Sequence, residues 1–471
     1  MNNLDFTFLT SALITDPIYY IICAVLSIVI LLGIYLMSRV KTAVFGNFLS
    51  AVALTIGVVV TLVRYDALPV WVIYASVAVG ALVGIFLAYK VKMIQMPQLV
   101  ALLNGIGGGA SFLVGIFAIY GIGAETDTFS KLTSLLAISV GIITLLGSLV
   151  AAGKLHQVIT QKPITLKFHQ SLTIISLLLT IITIVIGAFT NLLSVGLTTT
   201  LITAFSIMFG LLFTIRVGGA DMPITISLLN SFSGVAGSIA GLAIGDALLV
   251  AVGAIVGSSG LLLTQIMCKA MNRSLMDILL GKTTIAAKSI EKKQVEVKSI
   301  KEDVKESYLE LIRKAKNVII VPGYGMAIAQ AQHLVKNLSD KLKTNGATVR
   351  YAIHPVAGRM PGHMNVLLAE ADVDYDELFE MDEINPEFKN ADLTIVVGAN
   401  DVLNPAAREA EGTPIYGMPI LNVDESKNIV IFNYDTKPGY AGVDNPLYQK
   451  DNVHLVLGNA YDTLSELLEK L

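Results

Sequence analysis

The order of apolar and polar positions divides the chain into two halves of different character. Up to residue 271, uncharged apolar runs alternate with short polar loops. A run of roughly 20 apolar residues is long enough to cross the hydrocarbon core of a bilayer as a helix. The pattern therefore predicts a polytopic α-helical membrane domain over residues 1–271, with nine transmembrane helices. Their predicted ranges are 18–37, 42–63, 69–89, 97–120, 132–152, 170–189, 194–215, 222–245 and 247–271.

Beyond residue 271 the pattern changes twice. Residues 272–310 are rich in Lys, Glu and Ser and predict a charged linker. Short apolar runs then alternate with helical ones over residues 311–471, which predicts a Rossmann-like α/β domain with a doubly wound parallel sheet. The predicted strands are 317–321, 348–353, 392–397 and 428–432, and the predicted helices are 326–342 and 462–471.

Composition supports this division and excludes an ordinary soluble enzyme. The chain of 471 residues is 54% hydrophobic and 15% charged, whereas soluble domains carry roughly 25% charged residues. A net charge of −3 gives no reason to expect nucleic acid binding. Cys23 and Cys268 both lie in apolar runs, and the histidines lack metal-ligand spacing, so neither a disulfide framework nor a metal is expected.

The basic residues of the loops predict the orientation in the membrane. One set of alternate loops holds ten Lys and Arg residues and the other set holds two, Arg64 and Lys131. By the positive-inside rule, we expect the N-terminus outside and the C-terminal domain in the cytoplasm. The ten are Arg39, Lys41, Lys90, Lys92, Lys154, Lys162, Lys167, Arg216, Lys269 and Arg273.

The polar residues inside the predicted spans are amides and hydroxyls, chiefly Asn104, Asn230, Ser231 and Ser233. In one interpretation each asparagine joins two helices by a hydrogen bond. In the other they line a hydrated pathway, because polar groups at membrane depth often mark ion routes. Glycines spaced by four, such as Gly253 and Gly257, predict close helix packing nearby.

A glycine pair follows the first predicted strand, as Gly323-Tyr324-Gly325-Met326. Such a turn suits a pyrophosphate at the start of the next helix. The third glycine of the dinucleotide fingerprint is replaced by Ile328, so an ordinary strand-to-helix turn is the alternative.

Three later clusters have the composition of ligand-binding loops. Residues 354–363 contain Arg359, which could clamp a phosphate or form a surface salt bridge. Residues 398–402 contain Asp401, which could equally cap a helix. Residues 437–442 have the composition of a lid loop.

Long ordered motifs give the chain a close resemblance to the beta subunits of proton-translocating NAD(P) transhydrogenases. These include VPGYGMAIAQAQ at 321–332, HPVAGRMPGHMNVLLAEA at 354–371, VVGANDVLNPAA at 396–407, GYAGVDNPLY at 439–448 and GGADMPITISLLNSFSG at 218–234. The resemblance covers essentially the whole chain. It implies a C-terminal domain that binds NADP(H), a membrane domain that conducts protons, and a partner alpha subunit that carries the NAD(H) site and further membrane helices.

The resemblance and the glycine turn together predict the site residues. For proton coupling, without covalent chemistry, they are Asp401, Asn104 and Asn230. For cofactor binding they are Gly323, Tyr324, Gly325, Met326, Val356, Ala357, Gly358, Arg359, Met360, Pro361, Gly398, Ala399, Asn400, Asp401, Val402, Gly417, Met418, Asn433, Tyr434, Asp435, Thr436, Lys437, Pro438, Gly439, Tyr440, Asn459 and Ala460.

The chain departs from the family pattern at two places. Some relatives have a histidine at the position of Asn104, and an amide cannot take up a proton. Many relatives have a Lys-Arg pair where this chain has Asn433-Tyr434, so we expect Lys437 to recognise the 2′-phosphate of NADP(H).

The resulting expectation is an energy-coupled enzyme of the bacterial inner membrane. Hydride would pass from NADH on the alpha subunit to NADP⁺ on this chain as protons move inward, in a dimer of alpha-beta units embedded in lipid. Arg273 and Asp221 are further candidate relays at the membrane edge, with a structural role as the alternative. The rival expectation is a channel or transporter with a nucleotide-sensing cytoplasmic domain.

Overall fold

The computed structural model describes residues 15–37, 40–65, 70–91, 95–121, 127–161, 163–190, 192–219, 221–271, 274–276, 302–358, 362–413, 415–439 and 441–471. The chain divides into two compact units. We call the first the helical unit; it comprises Met1–Ile159, Thr165–Ile215 and Ile226–Leu262. We call the second the sheet unit; it comprises Thr160–Ile164, Arg216–Thr225 and Leu263–Leu471.

Within the described residues, nine helices are long and apolar enough to cross a membrane, as the sequence predicts. They are α1 Asp16–Met37, α2 Val40–Arg64, α3 Trp71–Lys90, α4 Met96–Ile119, α5 Thr128–Leu155, α6 His169–Phe189, α7 Val195–Ile215, α8 Met222–Ile244 and α9 Ala247–Ala270. The helix α5 begins four residues before its predicted start, because the Asp127 carboxylate caps it by accepting the Ser130 N–H at 2.8 Å.

Small residues set the packing of the helical unit. A Cβ added to Gly108 of α4 would lie 2.7 Å from the Thr144 Cβ of α5, so only glycine fits there. Likewise, a Cβ on Gly234 of α8 would lie 2.3 Å from the backbone nitrogen of Gly257 in α9. Gly253 and Gly257 thus lie at a close helix crossing, as their spacing predicts.

The described residues of the sheet unit form six parallel strands in the order β3-β2-β1-β4-β5-β6. This is the doubly wound arrangement that the alternation of strands and helices predicts. The strands are β1 Asn317–Pro322, β2 Thr348–Ile353, β3 Leu378–Glu380, β4 Leu393–Val397, β5 Ile429–Asn433 and β6 Val453–Leu457. The helices are α10 Glu302–Lys314, α11 Tyr324–Ala329, α12 Gln332–Thr344, α13 His363–Glu370, α14 Met381–Ile384, α15 Ala406–Glu409 and α16 Ala460–Lys470.

The central strands form the core of this unit. Every residue of β4 and of β5 is buried, which is typical of parallel strands covered on both faces. Ile319 of β1, Val396 of β4 and Ile431 of β5 pack in one cluster with Leu421 from a later loop. This core fixes the carboxyl ends of β1, β4 and β5, where the loops of the predicted site begin.

Several features differ from the sequence expectation. The helices α10, α13, α14 and α15 were not predicted, and α10 begins inside the predicted linker 272–310. The predicted helix 326–342 is two helices, because Gln330 adopts a left-handed conformation with φ of 52° and ends α11. The strands β3 and β6 were not predicted. β3 has only three residues at the sheet edge, whereas the alternating Val453-His454-Leu455 run of β6 is a signal that could have been used.

Candidate nucleotide site and membrane amides

The glycine turn after β1 packs directly on the end of β4. The Gly325 N–H donates to the Gly398 carbonyl at 2.8 Å. A Cβ on Gly323 would lie 2.3 Å from that same carbonyl oxygen. Gly398 has φ of 68°, a conformation that favours glycine. The Gly325 N–H therefore joins the loops after β1 and β4, within the turn that the sequence predicts either for a pyrophosphate or as an ordinary strand-to-helix turn.

The loop after β2 has a second close approach. Gly358 has φ of 104°, and a Cβ there would lie 2.3 Å from Nδ1 of His363. The buried imidazole of His363 thus fills the space next to Gly358, and its ring lies 6.3 Å from that of Tyr324. Since Tyr324 follows β1, these contacts bring the loops after β1 and β2 together.

Asp401 binds the segment 437–441, which extends from the end of β5. Its Oδ2 accepts the Ala441 N–H at 3.0 Å, and a Cβ on Gly439 would lie 2.5 Å from its Oδ1. Asp401 therefore holds the segment that the sequence identifies as a lid, rather than capping a helix.

An asparagine network completes the link between the loops after β4 and β5. Asn433 donates from Nδ2 to the Ala399 carbonyl at 3.0 Å and to the Tyr448 hydroxyl at 2.9 Å. Asn400 donates to the Lys437 carbonyl at 3.1 Å, and Asn445 donates to the Asn400 side chain at 3.0 Å. Burial raises the pKa of Tyr448 to about 12, so its hydroxyl stays neutral. Asn445 and Tyr448 were not predicted as site residues, although both lie in the family motif at 439–448.

Gly417 and Met418 lie in a loop that joins the site through backbone bonds. The Gly417 N–H donates to the Ala407 carbonyl at 2.8 Å, and the Leu421 N–H donates to the Val402 carbonyl at 2.9 Å. His354, which follows β2, also reaches this loop, since its Nε2 lies 2.8 Å from the Pro419 carbonyl. His354 lies in the cluster 354–363, but it is not among the predicted cofactor residues.

The last predicted pair lies at the start of α16. Asn459 caps this helix by accepting the Tyr461 N–H at 2.9 Å. The adjacent Gly458 N–H donates to the Asn433 carbonyl at 2.9 Å, which ties the turn after β6 to β5.

The described part of the site has little positive charge. Lys437 is 82% exposed in its side chain, and its ammonium lies 3.2 Å from the Asp435 carboxylate. The Lys437 N–H also donates to that carboxylate, at 3.1 Å. The cation expected to recognise a 2′-phosphate is therefore paired with an acid from its own loop.

In the helical unit, Asn104 is 7% exposed. Its amide nitrogen has no hydrogen-bond partner within the described part of the chain. The hydroxyls of Ser148 and Thr214, also buried, share this property. Ser231, by contrast, donates to the Gly257 carbonyl at 2.6 Å and so joins α8 to α9.

Asn230 lies on α8, and α8 contacts α4 one turn further along. A Cβ on Gly107 would lie 2.6 Å from the Ser233 hydroxyl oxygen. The helices that carry Asn104 and Asn230 are therefore neighbours.

Several predicted residues lie outside the described residues, namely Arg359, Met360, Pro361, Tyr440 and Arg273, together with most of the linker 272–310. The remaining predicted cofactor residues belong to four loops at the carboxyl edge of the sheet, to the loop 415–422 and to the start of α16.

Comparisons with known proteins confirm the family resemblance that the sequence motifs predict. A family model described as NAD(P) transhydrogenase beta subunit matches residues 19–470. The NAD(P) transhydrogenase subunit beta of Rhodospirillum rubrum is 41% identical over 463 residues, which cover 96% of this chain and 98% of that protein. A second protein of that name, from one strain of the same species, shows the same identity and coverage.

Proposed function

The chain belongs to the NAD(P) transhydrogenase beta-subunit family, and from this premise we propose how its two units divide the reaction. The sheet unit binds NADP(H) at the carboxyl edge of its strands, and NADH is held by an alpha subunit. Hydride moves from NADH to NADP⁺ as protons move inward. The sheet unit lies in the cytoplasm of a bacterial cell, and two alpha-beta units assemble in the inner membrane.

The observation that carries the proposal is the convergence of loops at the switch point of the sheet. In the order β3-β2-β1-β4-β5-β6, the chain leaves β1 and β4 in opposite directions, and ligands of open α/β sheets bind at this point. The loops after β1, β2, β4 and β5 meet there through Gly325, His363, Asp401 and Asn433. This constellation fits a dinucleotide because its internal hydrogen bonds preorganise the loops at the switch point, where such ligands bind.

The protein's own residues have a positioning role in this scheme. When bound, the nicotinamide supplies the hydride chemistry itself. Asp401 and the asparagine network hold the segment 437–441 at the switch point of the sheet. Held there, the segment excludes water and orients the nicotinamide ring. Because Asp401 contacts this segment directly, we propose that it relays the redox state of the site to the proton pathway. Arg273 and Asp221 are proposed as later relays at the membrane edge.

The amide nitrogen of Asn104, which has no hydrogen-bond partner among the described residues, supports a hydrated pathway in the helical unit. A buried amide without an intramolecular partner is costly unless water or another chain supplies one. We propose that Asn104 and Asn230 orient water, while the group that titrates belongs to the alpha subunit.

The primary test uses membranes that carry both subunits. In inside-out vesicles, NADH-driven reduction of an NADP⁺ analogue is expected with alkalinisation of the vesicle interior at a matching rate, because protons that move to the cytoplasmic side leave the interior. A nucleotide-sensing channel or transporter would bind the analogue without turning it over, and that result would overturn the proposal.

The pathway is tested separately with Asn104→Leu combined with Asn230→Leu. Hydride transfer in uncoupled membranes is expected to persist while proton movement is lost. Full proton pumping by this double variant would contradict the role of both amides. Asn104→His is the complementary variant, because it supplies a titratable group. It is expected to pump even when the membrane histidines of the alpha subunit are removed.

A further inference from the structure

His354 connects two segments that both belong to the proposed site. It follows β2 directly, and its imidazole is 2% exposed. Nε2 lies 2.8 Å from the Pro419 carbonyl oxygen, 65 residues away in sequence. Nδ1 lies 3.3 Å from the Val356 nitrogen. Val356 begins the segment 356–358, whose three residues are predicted to bind the cofactor, and Pro419 follows Gly417 and Met418, which are predicted to do the same.

The two partners determine the protonation state of the ring. A backbone N–H can only donate and a carbonyl can only accept. The neutral imidazole with its proton on Nε2 satisfies both partners at once. Burial lowers the pKa of His354 to about 4, so the ring keeps this form at neutral pH.

The other bonds of the loop 415–422 lead elsewhere. Asn385 donates to the Ile420 carbonyl at 3.0 Å and accepts the Asn422 N–H at 3.0 Å. The Leu421 N–H donates to Val402. These bonds hold the loop against other parts of the sheet unit. The bond from His354 instead joins the loop to the segment after β2.

We propose that His354 is a positioning residue for NADP(H), which fixes the separation between the segments 356–358 and 417–418 without touching the reacting atoms. This inference rests on the proposed NADP(H) site. It predicts that the bond to Pro419 controls nucleotide affinity and has little influence on hydride transfer once the nucleotide is bound.

Two conservative variants separate the bonds that His354 makes. In His354→Gln the amide nitrogen occupies a position close to that of Nε2 and can still donate to Pro419. His354→Asn is shorter, so it can accept from Val356 but does not reach Pro419. His354→Leu removes both bonds. His454→Gln is the matched control, because His454 is a partly buried histidine on β6 outside the proposed site.

The experiment measures the NADPH dissociation constant of the purified full chain, and KM and kcat of the complex with the alpha subunit. For His354→Asn and His354→Leu we expect the dissociation constant and the KM for NADP⁺ to rise about tenfold, the effect of one buried hydrogen bond. His354→Gln should stay within about threefold of wild type, and kcat should change less than twofold throughout. The control variant should match wild type.

Equal affinities for the Gln and Leu variants would overturn the inference, as would a fall in kcat at unchanged KM. Melting temperatures identify any variant that fails to fold, and the comparison of Gln with Asn decides the outcome if Leu does not fold. If the wild-type chain binds no NADPH, the proposed NADP(H) site is wrong. If the wild-type chain binds NADPH and all variants bind it equally well, only the proposed role of His354 is wrong.

Discussion

Two buried asparagines, one from each unit, show how differently the units use polar groups. Asn433 is 8% exposed and Asn104 is 7% exposed. The amide nitrogen of Asn433 donates to Ala399 and Tyr448, whereas that of Asn104 has no partner among the described residues. The sheet unit thus uses its amides to fix loops before any ligand arrives. The helical unit leaves an amide that water or another subunit must satisfy.

Glycine provides a second comparison. In the helical unit, Gly234 lets two regular helices touch. In the sheet unit, Gly398 combines a tight contact with a left-handed backbone. Substitution of Gly398 should therefore be more destabilising than substitution of Gly234, because at Gly398 a side chain would cause both backbone strain and steric overlap.

The largest effect is expected for Gly398→Ala. Its Cβ would lie 2.3 Å from the backbone nitrogen of Met326, which cannot move without displacing α11. We expect a loss of about 3 kcal/mol or more in unfolding free energy and loss of NADPH binding. Thermal unfolding of the full chain measures this loss. Gly412→Ala is the control, because Gly412 has φ of 83° but open space around it, and should cost about 1 kcal/mol. Equal losses of unfolding free energy in the two variants would show that the close approach of Gly398 to Met326 does not matter.

A pH effect of similar size is expected from His354. Its pKa is lowered from 6.5 to about 4 by burial, partly offset by the Pro419 carbonyl. The neutral ring therefore contributes stability that is fully present above pH 6.5 and is lost as pH falls toward 4. The contribution is about 3 kcal/mol. Melting temperatures at pH 7.5 and 4.5 should differ more for wild type than for His354→Gln, and equal differences would contradict this account.

The comparison of the two asparagines can be tested directly with leucine. Asn433→Leu leaves the Ala399 carbonyl without its donor and should lower the unfolding free energy by about 1–3 kcal/mol. Asn104→Leu removes an unpartnered amide and should leave stability unchanged or higher while reducing proton pumping. Melting curves and pumping assays on both variants measure these effects. A large destabilisation by Asn104→Leu would show that the Asn104 amide joins helices through a structural hydrogen bond.

The smallest effect concerns Asp435 and Lys437, whose ion pair is exposed. Lys437→Gln should weaken NADP⁺ binding by up to about fivefold, and Asp435→Asn should strengthen it by a similar factor, because exposed pairs are worth up to about 1 kcal/mol. NAD⁺ binding should not change in either variant. Equal affinity of the wild-type chain for NAD⁺ and NADP⁺ would remove Lys437 from the proposed specificity.

The sequence by itself determined the membrane helices and the central strands of the sheet, with their order along the chain. Long apolar runs predict all nine described membrane helices, since a helix in lipid must satisfy its backbone internally and be apolar along its length. The buried strands β1, β2, β4 and β5 were predicted for a similar reason, because both faces of a parallel sheet exclude water. The hydrophobic periodicity did not predict the left-handed conformation of Gln330, which splits the predicted helix.

Only the tertiary structure decided what the site residues contact. No spacing indicated that the Gly325 N–H meets Gly398, that Asp401 holds Ala441, or that His354 reaches Pro419. These contacts join residues up to 75 positions apart, as with Gly323 and Gly398, and depend on which strands are neighbours in the sheet. Local sequence governs local conformation, whereas contacts between loops follow from strand order and from the closeness that glycine permits.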